Sequence, residues 1–332
     1  MMSAYKSKPR RIVVLGTGGT IAGQGTAAGT NLCSTAGTVP VSQLIAGIDA
    51  PVGYELHGEQ VAQLDSKDMD LPTWLRLRER CLYWLAEADV VGVVITHGTD
   101  TVEETAFFLE STVDCSKPVV MTCAMRPASA SSPDGPQNIR DALAVVTDPA
   151  ATGVMVVCAG EIHGARHVTK THPYRLNAFS SGDMGPVGYV EEGTVRLVRS
   201  WSLQRPGIPQ VALGAWDDPA VWPRVQILAS HAGAGGDVLN LLVEHRSTRQ
   251  FGAIDGVVLA ATGNGSLHRD LEQAALRAQS TGVAILIASR CASGMVMRPA
   301  DPPIPDAGDL NPAKARIQLM LSLLAASAIA EK

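Results

Sequence analysis

Two short runs of threonine and glycine carry the residues most suited to chemistry in this chain. The first, Gly16-Thr17-Gly18-Gly19-Thr20-Ile21-Ala22-Gly23, follows the apolar stretch Ile12–Leu15. The second, Thr96-His97-Gly98-Thr99-Asp100-Thr101, follows Val90–Ile95. Residues just beyond the carboxyl ends of parallel strands line the ligand crevice of an open α/β sheet. Glycines there allow close backbone approach to a ligand, and the threonines present hydroxyls that can act as nucleophiles. A bare threonine hydroxyl is a weak nucleophile and needs a partner to accept its proton. Lys170, in Val168-Thr169-Lys170-Thr171, is the best candidate for that partner, since desolvation lowers a lysine pKa into a useful range; taken alone it reads as a solvated loop residue. Asp100, beside Thr99, suits a substrate ammonium group. The pattern points to an amidohydrolase with a threonine nucleophile.

Other chemistries fit less well. Gly16–Gly23 is not a dinucleotide fingerprint, because isoleucine stands at position 21 where the third glycine belongs. No Gly-x-Ser-x-Gly elbow is present. His163, His167 and His172 lie close together but lack zinc-ligand spacing, so neither metal nor cofactor is expected.

The elements that must position these residues alternate. Apolar runs at 12–15, 90–95, 118–123 and 153–158 are interleaved with helical patterns at 68–88, 102–112 and 137–147. After 200–223, rich in Pro, Gly and Trp, strand patterns at 225–229, 255–261 and 283–289 alternate with helical ones at 236–246, 267–280 and 312–330. Such alternation means βαβ units. The expected fold is α/β: a larger amino-terminal, mostly parallel sheet flanked by helices, and a smaller carboxyl-terminal parallel α/β domain. The expected division is a catalytic domain over 1–199, a linker over 200–223 and a second domain over 224–332. Residues 24–40, rich in small residues and without periodicity, read as a mobile lid. Thr101 is expected to cap the helix that follows it.

Composition narrows the class. Of 332 residues, 46% are hydrophobic and 18% charged, as in a globular protein with two cores. A net charge of -5 argues against nucleic-acid binding, and no apolar run is long enough to span a membrane. Met1–Arg11 carries no apolar signal-peptide core, so a cytoplasmic location is expected. The six cysteines show no Cys-x-x-Cys pair; Cys123 and Cys158 read as buried core thiols, and a Cys81–Cys115 pairing stays open.

Together these motifs resemble the bacterial-type L-asparaginases, the asparaginase/glutaminase family. The resemblance runs nearly end to end, through Thr17–Gly23, Gly58–Gln60, Ser66, Ile95–Ala106, Lys117–Val120, Ala124–Pro127, Asp134–Pro136, Arg166–Thr171, Gly263–Gly265 and Leu310–Arg316. It implies that Thr17 is the nucleophile, attacking the asparagine side-chain amide to give an acyl-enzyme and ammonia. Thr99, Lys170 and Asp100 would form a second triad that moves protons and supports deacylation, with the Thr99 amide helping to hold the oxyanion. Ser66 would bind the substrate α-carboxylate and Asp100 the α-ammonium, with Ala124 also lining the substrate site. A homotetramer of intimate dimers is implied, each site closed by a neighbour's smaller domain.

Four positions depart from the family pattern. The lid tyrosine aligns with Ser34, the glutamine after the carboxylate-binding serine is Lys67, the neighbour's glutamate aligns with Asp301, and an asparagine is replaced by Ser266. Losing a positioned catalytic hydroxyl costs ~10²–10⁴-fold, so slow turnover is one implied consequence. Lys67 would add positive charge near the α-carboxylate. The primary reading is hydrolysis of L-asparagine to L-aspartate and ammonia, with glutamine as a weaker substrate. The alternatives are an amidotransferase subunit, which carries an additional amino-terminal domain, and an asparagine- or aspartate-binding sensor with little turnover.

Overall fold

The computed structural model describes residues 9–25, 34–114, 116–201, 218–244 and 254–330. The chain divides into two compact units, Met1–Arg205 and Pro206–Lys332.

In chain order the first unit holds β1 (Arg10–Gly18), β2 (Gln24–Gly25), β3 (Ser34–Thr35), α1 (Val41–Ala46), β4 (Tyr54–Leu64), α2 (Leu71–Ala86), β5 (Val90–Thr96) and α3 (Val102–Thr112). It continues with β6 (Val119–Thr122), α4 (Gly135–Thr147), β7 (Val154–Cys158), β8 (Glu161–Gly164), β9 (Thr169–Lys170), β10 (Phe179–Ser180), β11 (Gly188–Glu191) and β12 (Thr194–Leu197). Eight of these strands form one sheet in the order β12-β11-β8-β7-β6-β5-β1-β4. Strands β4, β1, β5, β6 and β7 are mutually parallel, while β8, β11 and β12 extend the sheet antiparallel.

The apolar runs become the central strands because both sheet faces are covered. Ile12, Val14, Val94 and Val120 share one core with Ile139, Ala142 and Leu143 of α4. Their neighbours in the alternation, Val13, Leu15, Val93 and Ile95, are fully buried as well, so these strands cannot show an apolar-polar alternation. Edge strand β4 could not be read from the sequence: it is polar, and Val61 is its one fully buried residue. Helix α2 starts where Asp70 accepts a hydrogen bond from the Thr73 amide at 2.9 Å, with Pro72 in the first turn.

Topology sets the site. From β1 the chain crosses to β4 on one side, then returns to β5 on the other. This reversal is the topological switch point of a parallel sheet, where the crevice opens beyond the strands' carboxyl ends.

The second unit contains β13 (Val225–Ala229), α5 (Asp237–Glu244), β14 (Gly256–Ala261), α6 (Arg269–Ser280), β15 (Ala284–Ser289) and α7 (Pro312–Ala330). Its three strands pair in parallel in the order β13-β14-β15. Leu239 of α5 and Leu271, Ala274 and Ala278 of α6 share a core with Val257, Leu259 and Ile285.

Three expectations fall partly outside the described residues: the lid at 26–33, the linker at 202–217, and Cys115. Cys81 is a buried free thiol whose pKa is pushed up to about 12 by burial. Cys123 and Cys158 are buried at the ends of β6 and β7, their Sγ atoms 3.8 Å apart. The expected Thr101 cap is corrected. Its hydroxyl makes no bond to the first turn of α3 and instead donates to the Ser66 carbonyl at 2.7 Å, leaving that turn for the site.

Candidate active site

Three loops converge at the switch point. Thr17, at the end of β1, is 1% exposed, and its hydroxyl donates to the carbonyl of Thr96, the last residue of β5, at 2.9 Å. Gly18 and Gly19 follow at φ +102° and +78°, backbone that side chains other than glycine rarely adopt. A Cβ on Gly19 would lie 2.3 Å from the Gly98 Cα, and one on Gly98 would lie 2.4 Å from the Ser66 Oγ. Only glycine lets the loops after β1, β4 and β5 touch, which is why they are rich in it.

Ser66 opens the turn after β4 and is buried. Its Oγ accepts the Asp100 amide at 3.2 Å, so its own proton remains to be donated to an anion.

The charged half of the site is Thr99, Asp100 and Lys170. The Lys170 ammonium donates to Thr99 Oγ1 at 2.7 Å and to Asp100 Oδ1 at 2.6 Å. Side-chain exposure is 16% for Lys170 and 53% for Asp100, so the lysine is inside and the carboxylate remains open to a ligand. Lys170 stands on the two-residue strand β9, where it pairs with Phe179 of β10, an element too short to be legible in the sequence. Its main chain is held as well: the Lys170 amide donates to Glu103 Oε2 at 2.5 Å. The first turn of α3 and the residue two before it thus hold both ends of the lysine, Asp100 at the ammonium and Glu103 at the backbone.

Sequence reasoning also missed the layer beneath. His97 is fully buried, and burial pulls its pKa down to about 4. Its Nδ1 lies 2.8 Å from the Gly98 carbonyl, which can only accept, so Nδ1 carries the proton. Nε2 then accepts the Thr105 hydroxyl at 3.0 Å, and Trp74 Nε1 donates to Thr105 Oγ1 at 2.8 Å. Every polar atom in this chain is satisfied with neutral groups, and it ends on the Gly98–Thr99 peptide. The spacing of His97 and Thr105 around the α3 start was the available signal, but it resembles any buried polar pair.

Of the residues singled out by sequence, the structure gathers Thr17, Ser66, Thr99, Asp100 and Lys170. Ala124 is buried on the loop after β6, whose neighbours Met125 and Arg126 donate their amides to Asp134, both at 2.9 Å. The Lys67 ammonium is held by its sequence neighbours, Asp68 at 2.6 Å and Asp65 at 3.2 Å. Hydrogen bonds to Asp68, then to Asp65, raise its pKa. Ser34 pairs through its backbone with Gly25. Asp301 is an exposed residue of the second unit. Among the three clustered histidines, His163 bonds Ser181 at 2.9 Å and Glu161 at 3.3 Å, and His172 Nδ1 accepts the Tyr174 amide at 3.0 Å.

The sequence profile described as "Asparaginase, N-terminal" matches residues 11–203, and that described as "Glutaminase/Asparaginase C-terminal domain" matches 224–331. The chain belongs to the asparaginase family. It is 36% identical to the L-asparaginase 2 of Escherichia coli (strain K12), over 94% of this chain and 88% of that one. It is 34% identical to a probable periplasmic L-asparaginase of Haemophilus influenzae, over 94% and 88% of the two chains. Among solved structures, a probable cytoplasmic L-asparaginase from Campylobacter jejuni superposes with a TM-score of 0.85 at 36% identity, covering 95% of each chain. In this member of the asparaginase family the ends of β1 and β5 carry the two threonine motifs, and the turn after β4 brings Ser66 to the second of them.

Proposed function

We propose that this protein hydrolyses L-asparagine to L-aspartate and ammonia, with glutamine as a lesser substrate. The observation that carries the reading is the Lys170 ammonium, 2.7 Å from Thr99 Oγ1 and 2.6 Å from Asp100, set among loops packed as closely as glycine allows around Thr17.

In this reading Thr17 is the nucleophile. Among the described residues its hydroxyl only donates, to a neutral carbonyl, which leaves the oxygen lone pairs free for attack. Thr99 accepts a hydrogen bond from an ammonium, which withdraws electron density from its oxygen and suits it to proton handling. Thr17 Oγ adds to the side-chain amide carbon, and the proton it loses is delivered to the departing ammonia. Water held at Thr99 then adds to the acyl carbon as the ester C–O bond to Thr17 breaks, and its proton passes to Thr17 Oγ, releasing aspartate and restoring the Thr17 hydroxyl. The Thr99 amide, on the peptide held by His97, donates to the oxyanion. Ser66 donates its remaining proton to the α-carboxylate, Asp100 takes the α-ammonium, and Ala124 lines the side-chain end.

Lys67 adds positive charge near the α-carboxylate, its ammonium held by Asp68 and Asp65. Ser34 stands in for the lid tyrosine, and Asp301 acts from a neighbouring subunit in a homotetramer. A cytoplasmic location is proposed in line with the Campylobacter relative; fractionation of the native host tests it.

The deciding assay is ammonia release from L-asparagine and L-glutamine by the unmodified chain, Thr17→Ala and Lys170→Ala. Release from asparagine that is lost in both variants is expected. Asparagine binding without release by the unmodified chain would overturn the reading.

A further inference from the structure

Lys170 does not stand on the main sheet. It stands on the ribbon β9–β10, which forms a two-stranded sheet of its own. Two strands alone hold together poorly in water, so whatever fixes the ribbon also fixes the reach of the ammonium. Ala178 and Phe179 are buried, but apolar contact is non-directional and does not set a register. Two polar ties from outside the ribbon are directional. Glu103 accepts the Lys170 amide on β9. The other tie lies at the far strand, where the hydroxyl of Ser181, the residue after β10, is 2.9 Å from His163 Nδ1.

The surroundings of His163 suit it to hold that hydroxyl. It stands on β8, opposite Val156 of β7, and β11 flanks β8 on the other side, so an inner strand of the eight-stranded sheet carries the ring. His163 is 1% exposed and Ser181 4%. The ring's Nε2 lies 3.3 Å from Glu161 Oε2. The hydrogen bond from His163 holds the Glu161 pKa down, so the carboxylate is ionised and can only accept. Nε2 therefore carries the proton, and in the neutral ring Nδ1 accepts from the Ser181 hydroxyl. This is the opposite tautomer to that of His97. The order of hydroxyl, imidazole and carboxylate is that of a nucleophilic triad, but Ser181 is too buried to meet a substrate. Its use is mechanical.

We infer that His163 is a positioning residue for Lys170: with its tautomer set by Glu161, it holds Ser181, and with it β10, where the ribbon brings the Lys170 ammonium to Thr99 and Asp100. The effect on rate rests on the hydrolytic reading; the hold on the ribbon does not.

Two variants separate these. His163→Leu removes both ring nitrogens at similar size, and His163→Asn keeps an amide oxygen near the Nδ1 position to accept from Ser181. In hydrogen exchange read by mass spectrometry, the amides of 169–181 should exchange about three- to tenfold faster in His163→Leu and near the unmodified rate in His163→Asn, the range expected for one neutral hydrogen bond. With L-asparagine, kcat should fall by a similar factor, about three- to tenfold, in His163→Leu, with KM unchanged, and recover in His163→Asn. A merely structural histidine would lower the melting temperature without this split between kcat and KM. Unchanged exchange across 169–181 in His163→Leu, an unchanged kcat, or equal losses in both variants would overturn the inference. If the unmodified chain releases no ammonia, the hydrolytic reading fails, and the exchange comparison still decides whether His163 holds the ribbon. Should His163→Leu fail to fold, Ser181→Ala removes the same bond from the other side and is read in its place.

Discussion

Thr17 and Thr99 stand just at the ends of neighbouring strands of one sheet, yet their hydroxyls sit in opposite electrostatic surroundings. Thr17 touches one neutral carbonyl, that of Thr96, and is almost wholly buried. Thr99 touches a lysine ammonium, with the Asp100 carboxylate 3.5 Å away. Both hang from the segment 96–99, one through its carbonyl and one through its own backbone. In the proposed mechanism the difference suits these two hydroxyls, from the ends of β1 and β5, to unlike tasks. A neutral environment preserves nucleophilicity, and a charged one makes a route for protons.

The sharpest way to break this division of labour is to remove each hydroxyl in turn. Thr17→Ala should cost ~10⁴-fold or more in kcat and leave no acyl-enzyme, as expected when the nucleophile itself is lost. Thr99→Ala should also be slow, but mass spectrometry should find an acyl adduct on Thr17 accumulating, because deacylation has lost its proton carrier. An adduct on Thr99 in the Thr17→Ala protein would reverse the two roles.

Much of this was legible in the sequence, and the exceptions have physical causes. The central strands β1, β5, β6 and β7 announce themselves as apolar runs because both faces of the sheet are covered. The threonine loops announce themselves by glycines that the close approach of Gly19 to Gly98 demands. Strand β4 did not, since an edge strand is free to be polar. Lys170 was picked by residue type, but the two-residue strand that aims it carries no periodicity. Glu103 stands in the first turn of α3, where acidic residues are common, and its bond to the Lys170 amide arises only from the tertiary fold. The partners of Lys67 are local, since Asp65 and Asp68 flank it in sequence and take its ammonium.

Two further substitutions sharpen the contrast with smaller effects. Lys170→Ala should lower kcat by ~10²–10⁴-fold while the Thr17–Thr96 hydrogen bond persists, a loss that steady-state assays of the two proteins measure directly. Glu103→Ala leaves the Lys170 amide without its carboxylate acceptor, a loss of about 1–3 kcal/mol in stability. It should lower kcat more than it changes KM, because the lysine is loosened rather than the substrate contacts. Glu103→Gln keeps an acceptor and should restore most of the rate. Equal kcat in both Glu103 variants would mean that the backbone tether does not position the ammonium.

The last effect concerns the buried neutral layer beneath the Gly98–Thr99 peptide, and its sign can be worked out from His97. Its pKa in the fold is about 4, against an ordinary value of 6.5, because burial disfavours the imidazolium. Above pH 6.5 the ring is neutral in folded and unfolded chains alike and contributes no pH dependence. Between pH 6.5 and about 4 the unfolded chain takes up a proton that the folded chain refuses, so stability falls as the pH falls. The loss reaches about 3 kcal/mol at the lower end, since each pKa unit corresponds to ~1.4 kcal/mol. His97→Asn places an amide N–H near the Nδ1 position and has nothing to protonate in that range. Urea midpoints of the two proteins at pH 7, 5.5 and 4.5 isolate the effect, because carboxylates such as Glu59 and Glu161 are shared by both. The unmodified chain should lose stability faster on acidification, and the two curves should converge toward low pH even if the variant starts less stable. Parallel curves would mean that the ring accepts a proton in place without penalty, and the layer beneath Thr99 would then be charged rather than neutral.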